Sequence, residues 1–181
     1  MTSSRRDFVQ LAASVAGVAG TFAWGSVDRA ALAAAVEPQA DTTWNLAWVD
    51  KVKGRHKAVF DCIEPESGVG VWRAGVWGQQ YRDVLKAAAS DMSPVIVLRH
   101  DAIPLIMTHA FWQKYGVGAK AKIEHPMTGA PVDRNPALFG EADGVPAPFA
   151  NYALDKQIAA GTVVLACNLA FKDVVGFVKD A

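Results

Sequence analysis

The sequence has no surplus of charge of either sign, because 18 lysines and arginines balance 18 aspartates and glutamates. Nucleic-acid-binding proteins usually carry a basic surplus, so nucleic acid is not an expected partner. Beyond the N-terminal region, no stretch of about 20 residues, the length that a transmembrane helix needs, is apolar throughout. No permanent membrane span is therefore expected. Hydrophobic residues make up 51% of the chain, which is enough for a globular domain with a core.

Cysteine is scarce: the chain has only Cys62 and Cys167, and they form no CxxC motif. The HxH and HExxH spacings of zinc sites are absent, as is the CxxCH motif of covalent haem attachment. Gly68 and Gly70 follow a predicted strand, but Arg73 stands where a dinucleotide-binding GxGxxG motif has its third glycine. The GxSxG motif of α/β-hydrolases is also missing. The sequence thus predicts no cofactor and no metal site, and it leaves open whether the protein is an enzyme.

The N-terminal segment has the pattern of an export signal. Two adjacent arginines, Arg5 and Arg6, precede an apolar, Ala/Gly-rich run and then a cleavage zone of small residues. An arginine pair in this position is typical of the twin-arginine (Tat) pathway. A permanent anchor is the alternative, but glycines and polar residues interrupt the apolar run. We predict a signal peptide at 1–35, cleaved after Ala33 or Ala35, with the Tat translocase as partner and the periplasm as destination.

After a predicted linker at 36–54, the domain predicted at 55–181 alternates strands and helices. Short apolar runs predict strands, and apolar residues spaced three and four apart predict helices. The predicted strands are 56–63, 94–99 and 162–167, and the predicted helices are 72–89, 104–115, 150–160 and one from 172 onward. In the first helix, the face with Trp77, Val84 and Leu85 is expected to pack on the sheet. The order implies parallel strands with right-handed crossovers, hence an open α/β sheet with helices on both faces.

Thiol and polar side chains stand where the predicted strands end. Ligand sites of open α/β sheets lie beyond the carboxyl ends of the strands. Cys62 closes the first strand, Arg99 and His100 close the second, and Cys167 and Asn168 close the third. Helix N-terminal amides and a nearby cation would stabilise a thiolate on Cys167. Cys167 is therefore the candidate catalytic residue, and Arg99, His100 and Asn168 are candidate ligand-binding residues.

Structural roles fit several of these residues as well. Cys167 also fits a buried structural cysteine, and Cys62 fits either a core residue or a disulfide partner of Cys167 in an oxidising compartment. The long segment at 116–148 is rich in turn residues and is either a solvated excursion or a lid. As a lid it would carry Arg134 and His125 over the strand ends, which makes Arg134 a fourth candidate ligand-binding residue.

Six segments of the domain together resemble one known family. They are HKAVFD at 56–61, VWRAGVWGQQY at 71–81, VIVLRHDAIPLIM at 95–107, FWQKYG at 111–116, HPMTGAPVDRNP at 125–136 and GTVVLACNLAF at 161–171. These segments resemble the DsrE/DsrF-like family, in its exported branch that carries a Tat signal. That family is similar to flavodoxin-like α/β folds, often forms homo-oligomers and includes sulfur carriers that use a cysteine.

The resemblance implies a flavodoxin-like sheet, a homo-oligomer, and Cys167 in the place of the family's strand-end cysteine. It implies a thiol-based sulfur carrier or redox protein that takes a small sulfur-containing or anionic ligand. A non-catalytic periplasmic binding or assembly module, with a crevice for a small ligand or metal at the strand ends, is the alternative. Family members usually continue with one more strand and helix, which this chain, ending at Ala181, is expected to lack.

Overall fold

Three parallel strands form one sheet in the part of the chain that the structure describes. The computed structural model describes residues 45–179, so the predicted signal peptide at 1–35 and the first part of the predicted linker lie outside the described residues. The strands are β1 (His56–Cys62), β2 (Met92–Leu98) and β3 (Val163–Ala166), in the order β1-β2-β3, and both neighbouring pairs are parallel. The predicted open α/β sheet is confirmed.

The first crossover is the helix α1 (Val69–Leu85), which begins three residues before the predicted start and ends four residues before the predicted end. Its buried residues are Val71, Ala74 and Gly78. Val84 and Leu85 are 76% and 57% exposed, so the prediction that they pack on the sheet is wrong. Two of these three buried residues, Ala74 and Gly78, are small, and a search for large apolar side chains overlooks them.

The second crossover starts differently from the predicted helix at 104–115. Residues His100–Ile106 form a 3-10 helix that contains Pro104, and an α-helix, α2, follows at His109–Tyr115. Thr108 separates the two, because its side-chain oxygen accepts a hydrogen bond from the Phe111 backbone N–H at 3.2 Å and so begins α2. The end of α2 agrees with the prediction, since Gly116 follows it in the left-handed conformation (φ 60°).

From Gly116 to Lys179 the chain forms six further helices around β3. They are α3 (Val117–Lys120), two 3-10 helices (Pro136–Leu138 and Glu141–Asp143), α4 (Ala147–Ala150), α5 (Leu154–Ala159) and α6 (Asn168–Lys179). The helix predicted at 150–160 is therefore wrong in its first half, where a turn separates α4 from α5. The helix predicted from 172 begins at Asn168, so it follows Cys167 directly.

The main core lies between one face of the sheet and the crossovers. The largest fully buried hydrophobic side chains are Trp112, Ile96, Leu98, Ile103, Leu105 and Val71. On the other face, Trp48 and Val52 flank a 3-10 turn (Val49–Lys51) and line a cavity of about 320 Å³ against Val95. Among residues 45–179, no helix combines the length and the apolar character required to cross a bilayer.

Candidate functional site

The carboxyl ends of the three strands bring most of the predicted site residues to one edge of the sheet. The Arg99 N–H donates to the Cys62 carbonyl at 3.0 Å, and the Cys167 N–H donates to the Leu98 carbonyl at 2.9 Å. These bonds continue the parallel pairing one residue past β1, β2 and β3. Leu165 is paired with Val97, so Cys167, two residues on, is level with Arg99.

Arg99 forms a bidentate ion pair with Asp61 on the neighbouring strand. Its Nε and Nη2 atoms each donate to one carboxylate oxygen at 2.7 Å. The hydrogen bond from Arg99 is the largest effect on the pKa of Asp61 and holds it below its ordinary value. The same bond is the main reason that the pKa of Arg99 is raised, and the charge of Cys167 adds to it in the same direction. The guanidinium is thus fixed by Asp61.

The two cysteines lie in different environments. Cys62 is 4% exposed, and a Cβ atom built on Gly70 of α1 would lie 2.6 Å from its Sγ, so the thiol is enclosed beneath the helix. Burial, with the charges of Asp61 and Glu66, raises the pKa of Cys62 to about 11. Cys167 is half-buried and immediately precedes α6, whose backbone begins with the Phe171 N–H donating to the Cys167 carbonyl at 2.9 Å.

The disulfide alternative does not fit the sheet order. Both cysteines are free thiols. Cys62 ends β1 and Cys167 follows β3, and β2 lies between these strands. Two strand spacings amount to roughly 9–10 Å, whereas the Cα atoms of a disulfide lie within about 7 Å of each other.

His100 lines a cavity beside the strand ends. It is the first residue of the 3-10 helix that follows β2 and adopts a left-handed backbone conformation (φ 48°). The cavity of about 390 Å³, here called the His100 cavity, is lined by His100, Asp101, Pro104, Phe111, Val117, Lys120, Ala121, Ala170, Asp173 and Val174. Its wall is largely apolar, with two carboxylates, an imidazole and an ammonium group. Asn168 is exposed at the first turn of α6.

Arg134 lies in a separate cluster. It forms an ion pair with Asp143, and its guanidinium carbon lies 6.0 Å from the centre of the Phe139 ring. Within residues 45–179, none of its contacts reaches the strand ends. The structure therefore does not bring Arg134 together with Arg99, His100, Cys167 and Asn168, because the Asp143 carboxylate holds it in place within the 116–148 segment.

The histidines of the same cluster also have structural partners. The Nδ1 atom of His125 accepts hydrogen bonds from the backbone N–H groups of Met127 (3.1 Å) and Thr128 (3.3 Å), so Nε2 carries the proton and donates to the Asp143 carbonyl at 2.7 Å. The pKa of His109 is lowered, first by burial and then by the charge of Arg134. In the part of the chain that the structure describes, no three His, Cys, Asp or Glu side chains are placed to hold a metal ion.

Asn135 is the residue of this segment that the sequence reasoning missed. It is fully buried, and its side-chain N–H groups donate to the carbonyls of Leu105 (2.8 Å) and Met107 (2.7 Å). Its Oδ1 accepts from the Ala137 N–H at 2.9 Å. The signal was present as an Asn-Pro pair, which favours a turn, but nothing in the sequence indicates that the turn is buried.

Comparisons of the chain with family models, with curated proteins and with solved structures found no match.

Proposed function

We propose that this protein is an exported member of a DsrE-like group and carries sulfur on Cys167. The observation that supports this best is the contrast between the two thiols. Cys167 is half-buried, level with Arg99 and directly before α6, whereas Cys62 is fully enclosed and has a raised pKa. Carriage on Cys167 needs an accessible thiolate, and a cation and helix amides are the groups that stabilise one.

The chemistry of such a carrier is a transfer of one sulfur atom without net oxidation. The Cys167 thiolate attacks the outer sulfur of a donor persulfide, so a new S–S bond forms at Cys167 and the donor leaves as a thiolate. An acceptor thiolate then attacks the outer sulfur of the Cys167 persulfide and releases the Cys167 thiolate. In this scheme Arg99 stabilises the anionic forms, and His100 and Asn168 contact the small sulfur-containing or anionic ligand.

Alkylation of single-cysteine variants tests which thiol is reactive. Iodoacetamide is expected to modify Cys167 in the Cys62→Ala variant roughly 100-fold or more faster at pH 7.5 than Cys62 in the Cys167→Ser variant. The reason is that Cys62 is shielded by burial, and its raised pKa leaves little of it as thiolate. The rates are followed by intact mass. Equal rates, or a faster Cys62, would refute the assignment.

Sulfur loading is the direct readout of the proposed function. After exposure to inorganic polysulfide and removal of excess reagent, Cys62→Ala is expected to gain one sulfur atom, about 32 Da, that dithiothreitol removes, and Cys167→Ser is not. An Arg99→Gln variant of the Cys62→Ala protein is expected to load more slowly, because the cation level with Cys167 is removed. Loading of Cys167→Ser to the same extent as Cys62→Ala would argue against a carrier role for Cys167.

A non-catalytic binding module is the second candidate, and the His100 cavity favours it. Its volume of about 390 Å³ lies in the range of small-molecule sites, and its wall combines apolar surface with a few charged groups. If Cys167→Ser keeps every cellular activity of the wild-type protein, the binding module replaces the sulfur carrier as the proposed function. A homo-oligomer, implied by the family resemblance, is compatible with both.

Export is proposed to depend on the arginine pair in the signal. Replacing Arg5 and Arg6 together by lysine is expected to abolish export by the Tat route, because the planar guanidinium and not its charge alone is recognised. Fractionation of cells that express the tagged protein measures the periplasmic share. Each single lysine variant is the matched control and is expected to retain part of the export. A double-lysine variant that reaches the periplasm as wild type does would show that the Tat assignment is wrong.

A further inference from the structure

A second large cavity lies at the opposite edge of the sheet from Cys167. Met92, which begins β2, and Thr162, which precedes β3, both line it, so it stands at the amino ends of the strands. Its volume is about 450 Å³, and α1 and α5 form its sides. None of the residues discussed for the candidate site contributes to its wall, so it is independent of the proposed sulfur chemistry.

Glycine and aromatic residues of the wall shape this cavity. Gly78 is buried on α1, and a Cβ atom built there meets only the Nη1 atom of Arg82, at 3.4 Å. Because residue 78 has no side chain, the guanidinium lies directly over the helix backbone at this point of the cavity wall. Gly75 allows the ring of Tyr152 to lie against the helix, since a Cβ there would come within 2.5 Å of the ring. Trp77 supplies a second aromatic wall.

Two cations flank this space without carboxylate partners. Arg82 comes from the last turn of α1 and Lys156 from α5, and neither forms an ion pair within the described residues 45–179. The Nη2 atom of Arg82 donates to the Oε1 atom of Gln79 at 2.9 Å, which orients the guanidinium. The Asp83 carboxylate accepts hydrogen bonds from the Nε2 atom of Gln79 at 2.8 Å and 2.9 Å, and it does not line the cavity.

We propose that this cavity is a binding site for a small aromatic phosphate monoester. The volume suits a ligand of that size. A guanidinium and an ammonium group on opposite walls match a dianionic phosphate, since Arg presents paired donors and Lys a compact charge. The ring of the ligand packs against Trp77 and Tyr152, which present flat apolar surface.

Calorimetric titration of the full chain with phenyl phosphate tests the site. Saturable binding of one equivalent is expected, with Arg82→Gln and Lys156→Gln each weakening it by roughly 10-fold to 100-fold, the usual effect of losing a charged hydrogen bond. Arg73→Gln is the matched control, because Arg73 lies on the same helix with an exposed side chain outside the cavity, and it should bind as wild type does. Gly78→Leu inserts a side chain at the position that the Arg82 guanidinium covers, without removing its charge, and should abolish binding while the circular dichroism spectrum is unchanged.

Three outcomes would overturn the proposal. The first is the absence of saturable binding at millimolar phenyl phosphate. The second is unchanged affinity in both Arg82→Gln and Lys156→Gln, or a loss in Arg73→Gln as large as theirs. The third concerns the probes: phenol and inorganic phosphate are each expected to bind at least about 10-fold more weakly than phenyl phosphate, and equal binding of either would contradict a site that recognises both ring and phosphate. Because Cys167→Ser leaves this cavity intact, it should bind phenyl phosphate normally, which separates this test from that of the sulfur carrier.

Discussion

Replacing Trp112 by alanine is expected to lower the free energy of unfolding by about 3–5 kcal/mol. Its side chain is fully buried in the core on which the second crossover packs, and its Nε1 atom donates to the Pro104 carbonyl at 2.7 Å. Alanine would leave a cavity the size of an indole and remove that hydrogen bond. A loss of this size is comparable to the whole stability of many small domains. Equilibrium denaturation with urea measures it.

Two further variants keep this prediction testable if Trp112→Ala does not fold. Trp112→Phe retains most of the buried surface, and the Pro104 carbonyl keeps a bond from the Met107 N–H at 3.0 Å, so a smaller loss, about 1–2 kcal/mol, is expected. Val84→Ala, at a side chain that is 76% exposed on α1, should change the free energy by less than about 0.5 kcal/mol. A Trp112→Phe protein as stable as wild type would show that the indole does not hold the crossover.

The strands were predictable from sequence because each is a short, locally encoded feature. In β2, for example, apolar and polar residues alternate little, and turn residues lie at both ends of the segment. This pattern is typical of a strand buried on both sides. The parallel arrangement followed from the alternation of strands with helical segments. The convergence of Arg99 and Cys167 then needed no knowledge of side-chain contacts, because the carboxyl ends of parallel strands share one edge.

The helices were harder to predict because their packing faces depend on tertiary contacts. On α1 the close approach to the sheet occurs at Gly70, where a Cβ would lie 2.6 Å from the Sγ of Cys62, while the larger Val84 and Leu85 remain exposed. Hydrophobic spacing identifies the large residues and gives no weight to the small ones. The Pro104 region shows a second reason: whether a proline begins an α-helix or lies in a 3-10 helix depends on neighbours distant in sequence.

The partners of charged residues were the least predictable part of the site. Arg134 was placed over the strand ends because a long polar segment in a compact domain is often a lid. Its actual partner, Asp143, is only nine residues away. Other carboxylates also lie within nine residues of Arg134, and the sequence does not indicate which of them forms the ion pair. Arg99 illustrates the converse, because the residue that fixes it, Asp61, belongs to another strand.

Asn135 fixes part of the 116–148 segment through hydrogen bonds of its side chain and backbone. Its side chain joins three backbone groups from two regions of the second crossover, and its own N–H donates to the Nδ1 atom of His109 at 3.2 Å. All three side-chain bonds lie in buried or part-buried surroundings, where water does not readily replace them. Together with the buried apolar residues Val117, Ile123 and Ala137, Asn135 ties the predicted lid to the core.

Asn135→Ala is therefore expected to destabilise the protein by about 3 kcal/mol or more, because two carbonyls and one N–H lose their partners at a cost of roughly 1–3 kcal/mol each. Asn45→Ala is the matched control: Asn45 accepts the same kind of bond, from the Ala47 N–H at 3.0 Å, but is exposed, so a loss below about 1 kcal/mol is expected. Urea denaturation measures both. Similar losses in the two variants would show that burial does not set the value of the Asn135 bonds.

Asn135→Asp sharpens the same test, because it keeps the shape and changes only the donors. The carboxylate would face the carbonyl oxygens of Leu105 and Met107 with no proton to donate, and burial would disfavour its charge, so its pKa in the folded state should be raised. A group whose pKa is raised on folding stabilises the folded state below the unfolded pKa and loses that contribution as pH rises through the folded pKa. The variant should thus be weakest at neutral pH and approach wild type as the pH falls toward about 4, the ordinary pKa of aspartate. The stability difference between Asn135→Asp and wild type, measured from pH 4 to pH 8, should widen with pH, and a constant difference would mean that the donors of Asn135 are not what holds the segment.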